Sequence, residues 1–199
     1  MTGDLETLAA ELEKMKAAFG GLDNIPKYVA LLDQYKADQE RAKKVSLVVW
    51  SGEYDRVLPA FIIANGARAM EMDVDMYFTF WGLKTLQKHG ARPAGTNAMN
   101  SALHYMLPGG PEGAKLSSLH MFGLGKTMIT RLMKENNIAG LDEQIDLAYE
   151  SGVNIQACTL AMSIFGMEKG KDFDPRVQNY VGVATYLMSA ASADITLFI

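Results

Sequence analysis

Two short apolar runs with a helical stretch between them constrain this chain most. Val45 to Trp50 is a β-rich run, and Ser51-Gly52 turns out of it. Val57 to Met70 reads as a helix, with Leu58, Phe61, Ile62 and Ala69 available for one buried face and Pro59 in its first turn, where proline is tolerated. Val74 to Phe80 reads as a second strand, followed by Trp81-Gly82 and a short helix through Gln87. Strand, helix and strand within about 35 residues form a βαβ unit with a right-handed crossover. Such a unit commits the chain to an α/β fold with a mainly parallel sheet. Continuous apolar strands are those buried on both faces.

The rest of the chain extends this pattern and interrupts it once. Residues 90–122 carry Pro93, Gly95, Pro108, Gly109, Gly110, Pro111 and Gly113, so a loop-rich insert with short helical pieces is expected. Leu124 to Lys134 and Leu141 to Tyr149 read as helices. Val153 to Ala157 reads as a third strand, and Thr159 to Phe165 as the start of a helix. A weakly marked fourth strand falls between Lys169 and Val181, a helix at Gly182 to Ala191, and a closing strand at Ile195 to Ile199. Residues 1–43 differ. Leu5, Leu8, Leu12, Met15 and Phe19 recur three and four apart, Gly20-Gly21 stops that helix, and Tyr28, Leu32 and Tyr35 continue an apolar stripe on a second one. The expected organisation is an N-terminal helical hairpin at 1–43, serving oligomerisation or packing, and an α/β domain at 44–199.

Composition excludes several functions. The chain has 199 residues, 49% hydrophobic and 21% charged, with a formal net charge of −4 and no long basic run, which argues against nucleic acid as a partner. No apolar run reaches the roughly 18–20 residues that span a bilayer. Met1 to Glu13 is acidic and lacks the pattern of a signal peptide. The single cysteine cannot form an intrachain disulfide, and the cytoplasm is the default compartment. The 13 methionines suit core filling more than an adaptable contact surface.

Other motifs are weak. Gly123-Leu124-Gly125-Lys126-Thr127 imitates the end of a phosphate-binding loop, but the position five residues before Gly125 is His120, not glycine. His89, His104 and His120 share no metal-ligand spacing, so no metal and no cofactor are expected.

The cysteine is the informative residue. Cys158 falls between the third strand and its helix, where unpaired N–H groups and the helix dipole favour a thiolate. Open parallel sheets bind ligands outside this edge. The alternative is a small buried hydrophobe, since free cysteine is often fully buried. Three turns should line the same edge: Ser51-Gly52-Glu53, Trp81-Gly82 and Cys158. Their glycines allow close backbone approach, and together they suit an anionic sulfur species. Ser51, Gly52, Trp81 and Gly182 are the candidate ligand contacts. Trp81 reads equally as a cover for the core.

The run LVVWSGEYDRVLPAFIIANGARAMEMDVDMYFTFWGLKTL resembles the first βαβ unit of the DsrE/DsrF/DsrH-like family, in its type-two DsrE branch. GVNIQACTLAMSIFGM resembles the branch's cysteine segment, and VGVATYLMSAASADITLFI its C-terminus. The resemblance covers most of Lys44 to Ile199 and leaves the hairpin outside. It implies a three-layer α/β/α domain of four to five strands that forms homo-oligomers. It also implies sulfur-relay chemistry, with Cys158 as the residue that accepts sulfane sulfur from a small anion such as thiosulfate or polysulfide. Cys158 would then pass that sulfur to a TusA-like or rhodanese-like carrier, as a sulfur carrier or sulfurtransferase. Some relatives use a second cysteine, which this chain lacks. The competing expectation is a non-catalytic oligomeric binding or scaffold module with an inert cysteine.

Overall fold

The computed structural model describes residues 25–40, 43–89, 109–118 and 123–199, with isolated helical positions at 10, 13, 14, 17, 98 and 99. The chain separates into two compact units, Met1–Arg41 and Ala42–Ile199. In the first, helix α1 spans Ile25–Glu40. The seam Leu5, Leu8, Leu12, Met15 and Phe19 lies outside the described residues, as do the side chains of Tyr28 and Tyr35, and Leu32 is exposed.

The second unit is built on five parallel strands: β1 (Lys44–Val49), β2 (Asp73–Phe78), β3 (Asn154–Cys158), β4 (Asn179–Val181) and β5 (Ile195–Phe198). Their order is β4-β3-β2-β1-β5. Helices α2 (Tyr54–Ala69), α3 (Leu124–Glu135), α4 (Leu141–Glu150), α5 (Thr159–Phe165) and α6 (Val183–Ala190) flank them. The architecture is the expected α/β sheet, with the fourth strand reduced to three residues.

Several boundaries differ from the sequence expectation, each for a local reason. Helix α2 starts at Tyr54, after an extended Glu53, rather than at Val57. Pro59 therefore falls in its second turn, on the exposed side, and forfeits the bond to the Asp55 carbonyl. Its buried face uses Val57, Leu58, Ala60, Phe61 and Ala64, whereas Ile62 and Ala69 are exposed. Strand β2 stops at Phe78, because Phe80 takes a left-handed backbone (φ 45°) and opens a 3₁₀ segment at Phe80–Leu86. Of the methionines in the middle of the chain, Met133 is buried, while Met99 and Met128 are exposed.

The two faces of the sheet carry different residues. Partners in the register share a face, and successive residues alternate. One face presents Val45, Leu47 and Val49, then Val74, Met76 and Phe78, then Ile155 and Ala157, all buried. Helix α2 lies on it, with Phe61 against Phe78 at 5.8 Å, and Asn65 ties α2 to α4 through the Gln144 carbonyl at 2.9 Å. The opposite face presents Ser46, Asp75, Asn154, Tyr77, Gln156 and Cys158. Helix α6 lies there, with Tyr186 stacked on Tyr77 at 4.4 Å and its hydroxyl 2.8 Å from Ser46 Oγ.

Candidate functional site

Chain direction positions the cysteine. The strands run β1, β2, β3, β4 in one direction, and the connection through α6 then returns to β5 beside β1. Crossovers of one hand running in opposite directions leave the sheet on opposite faces. The connections out of β3 and β4 therefore diverge, and their C-terminal ends form the topological switch point at which open α/β sheets bind ligands. Cys158 ends β3 and Gly182 follows β4. Thr159 Oγ1 reaches toward the Val181 carbonyl at 3.4 Å, joining the two ends.

Cys158 is the N-cap of α5. Its Sγ accepts from the Ala161 N–H at 3.5 Å. The residue is 4% exposed. Burial pushes its thiol pKa up, but the Thr79 and Tyr77 hydroxyls and the Ala161 and Leu160 amides outweigh this, and the pKa ends below the ordinary cysteine value. The Tyr77 hydroxyl lies close enough to bias the thiol, yet among the described residues it meets no acceptor at full hydrogen-bond geometry. Burial, with the thiol beside it, raises the phenol's own pKa.

Deeper on the same face is a fully connected polar row. Lys44 Nζ lies 2.8 Å from Asp75 Oδ2 and 2.6 Å from Ser189 Oγ, and Ser189 also donates to Asp75. Asn154 Nδ2 donates to Asp75 Oδ1 at 2.7 Å, and Asn179 Nδ2 to Asn154 Oδ1 at 2.6 Å. Burial raises the Asp75 pKa, yet bonds from Lys44, Ser189 and Asn154 bring it below the usual carboxylate value.

The other site candidates gather elsewhere. Ser51, Gly52 and Trp81 line a cavity of about 520 Å³ together with Trp50, Lys84 and Leu116, and neither Cys158 nor Gly182 lines it. The first two turns are packed tightly. A side chain at Gly52 would meet the Trp81 carbonyl at 2.6 Å, and one at Gly82 would meet the Val49 carbonyl at 2.2 Å. Trp81 also packs on Phe165 of α5, with ring centroids 5.1 Å apart, the contact expected of a cover for the core. Lys84 is buried in the cavity wall, which pushes its amine down to about 8. Gly182 has an extended backbone, and a side chain there would meet Thr159 Oγ1 at an ordinary contact distance of 4.0 Å, so the turn itself does not require glycine.

Lys126, at the phosphate-loop imitation, is used structurally. Its Nζ donates to the Glu112 and Ala114 carbonyls at 2.8 and 2.9 Å. His89 faces Glu112 at the surface, and His104 and His120 lie outside the described residues. Among the described residues, no cluster of His, Cys, Asp or Glu could hold a metal, and no helix is long and apolar enough to cross a membrane.

Sequence reasoning missed Tyr77, Thr79 and Gln156. The signal was an alternation: Asp75, Tyr77 and Thr79 interleave with Val74, Met76 and Phe78, and Asn154, Gln156 and Cys158 with Ile155 and Ala157. Polar residues at every second position of a central strand mark one face as special.

The chain aligns at 36% identity over 160 residues with the uncharacterized protein YrkE of Bacillus subtilis (strain 168), covering 80% of this chain and 99% of that protein. It aligns at 28% identity over 169 residues with the sulfur carrier protein DsrE2 of Allochromatium vinosum, covering 79% and 98%. The sequence profile of the DsrE/DsrF/DrsH-like family matches residues 41–198, the span that holds the whole sheet and Cys158. This chain is therefore a member of the DsrE/DsrF/DrsH-like family.

Proposed function

We propose that this protein is a sulfur carrier in which Cys158 accepts sulfane sulfur and passes it to a thiol partner. One observation carries the reading: the chain's single cysteine ends a central strand, and its thiol pKa is lowered although it is buried. The sulfur carrier among its relatives supports it.

The chemistry needs no oxidant or reductant. The Cys158 thiolate attacks the outer sulfur of thiosulfate or a polysulfide. A bond forms from Sγ to that sulfur, the donor's S–S bond breaks, and sulfite or the shortened polysulfide leaves with the electron pair. A partner thiolate, on a TusA-like or rhodanese-like carrier, then attacks the outer sulfur and Cys158 leaves as thiolate. With no second cysteine in the chain, release depends on that external thiol. Gly182, beside Cys158, and Ser51, Gly52 and Trp81, in the neighbouring cavity, are the candidate contacts for donor or partner. Acting on sulfur as a thiolate suits a reducing cytoplasm. Homo-oligomerisation belongs to the same reading: α6 and β5 expose Val183, Leu187, Met188, Ile195 and Phe198, an apolar surface that a second copy would cover.

The near-complete burial of Cys158 favours a second reading, a binding or scaffold module with an inert cysteine. Intact mass after incubation with thiosulfate or polysulfide separates the two. The carrier gains the mass of a sulfur atom, and a reducing thiol removes it. A folded protein that gains nothing from several donors is the module.

A further inference from the structure

We infer that the Tyr77 hydroxyl and the Gln156 side-chain carbonyl hold the sulfur atom that Cys158 carries. This rests on the carrier reading and names the groups that retain its cargo. Tyr77 is 3% exposed and Gln156 5%, and among the described residues neither the Tyr77 hydroxyl nor Gln156 Oε1 has a hydrogen-bond partner. The two residues are register partners on β2 and β3. Gln156 stands two residues before Cys158, so all three side chains occupy one face of the sheet.

Buried polar groups without partners are rare in native structures and call for an explanation. On this face the two orphans occupy one row, beside Cys158. The next row is saturated by Lys44, Asp75, Ser189 and Asn154, with Asn179, the register partner of Gln156, turned to Asn154, and the Tyr186 hydroxyl is satisfied by Ser46. The orphans are also a complementary pair, one able to donate and one only to accept. A persulfide needs this combination. Its outer sulfur accepts a hydrogen bond when anionic, and its S–H donates one when protonated. In the transfer itself, the Cys158 thiolate takes the outer sulfur of a persulfide or polysulfide, the donor's S–S bond breaks, and the donor leaves as thiolate. The new Sγ–S bond lengthens the side chain and brings a second sulfur toward groups that the thiol alone does not satisfy.

The test compares retention of sulfur. Wild type, Tyr77→Phe, Gln156→Leu and Ser46→Ala are loaded with polysulfide, desalted and exposed to cyanide, and the loss of the added sulfur is followed by intact mass. Phenylalanine keeps the ring stacked on Tyr186, and circular dichroism with thermal unfolding checks the fold. Tyr77→Phe should load but lose its sulfur roughly fivefold faster, the worth of one ordinary hydrogen bond. Gln156→Leu should do the same, while Ser46→Ala, which disturbs Tyr186 on the same face without touching the sulfur, should match wild type. Equal lifetimes in wild type and Tyr77→Phe, or an equal acceleration by Ser46→Ala, would overturn the inference. A folded wild type that takes up no sulfur defeats the carrier reading itself, and the inference falls with it.

Discussion

The two faces of the sheet differ in what they are made of and in what they do. Under α2 lies an apolar surface running from Val45 to Ala157, fully buried and without polar side chains. Under α6 lies a surface of Lys44, Ser46, Asp75, Tyr77, Asn154 and Gln156, in which Ser46, Asp75, Tyr77 and Gln156 are buried and Lys44 and Asn154 half-buried. Burying hydrocarbon is favourable in itself, whereas burying polar groups costs free energy unless each finds a partner. The first face therefore holds the fold together. The second is kept for what it positions, and Cys158 stands at its end.

The sharpest separation of the two faces is at the cysteine. Cys158→Ser should abolish sulfur loading, since a hydroxyl at that position is not a thiolate. It should leave the fold intact, because serine is a favoured N-cap and can accept the Ala161 N–H in the sulfur's place. Intact mass and circular dichroism read both halves. Residual loading of the variant would place the acceptor elsewhere.

A substitution on the opposite face should do the reverse. Phe78 is fully buried against Phe61, and Phe78→Ala should cost about 3–5 kcal/mol of unfolding free energy. At a temperature where the variant is still folded, its loading stoichiometry should match wild type. Urea titration measures the first effect and mass spectrometry the second. A cost under about 1 kcal/mol would mean that the apolar face is not the main anchor.

How far the sequence exposed this division depends on residue type. The βαβ unit and the Cys158 junction were legible because Val45 to Trp50 is a β-rich run broken only by Ser46 and the cysteine falls between a β-rich and a helical stretch. Strand β4 was faint because Asn179–Val181 is only three residues long and partly exposed, leaving little hydrophobic pattern to read. The end of β2 was placed too late because Phe80 adopts a positive φ that its residue type does not announce. The grouping of site residues was illegible in principle. Ser51, Gly52 and Trp81 share the sheet edge with Cys158, but which turns share a cavity depends on backbone contacts such as Gly52 against the Trp81 carbonyl.

The polar row offers a prediction of intermediate size. Asp75→Asn keeps the shape but removes the charge that pairs with Lys44, and should cost about 1–3 kcal/mol at neutral pH. The sign of its pH dependence follows from the depressed carboxyl pKa. Asp75 contributes its stability above the ordinary value of 3.8, and the contribution is lost as pH falls through the lower folded value. The gap between wild type and Asp75→Asn should therefore close on acidification. Denaturation at neutral pH and again well below the carboxylate range tests this. A gap that persists unchanged in acid would show that the charge on Asp75 is not its source.

The smallest expected effect lies at the cysteine's own titration. Burial alone would raise the thiol pKa, and the Thr79 hydroxyl is foremost among the groups that bring it down. Thr79→Val keeps the branched shape and removes the hydroxyl, so the midpoint of thiolate formation should rise. Loading at a fixed pH below that midpoint should slow several-fold, and the two proteins should converge at high pH, where both are fully ionised. The ultraviolet absorbance of the thiolate reads the midpoint directly, because Cys158 is the chain's single thiol and burial holds the Tyr77 and Tyr186 phenols above their ordinary range. An unchanged midpoint in Thr79→Val would shift the credit for the lowered pKa to Tyr77 and the α5 amides. The polar face would then act on the sulfur through the tyrosine row rather than through the strand end.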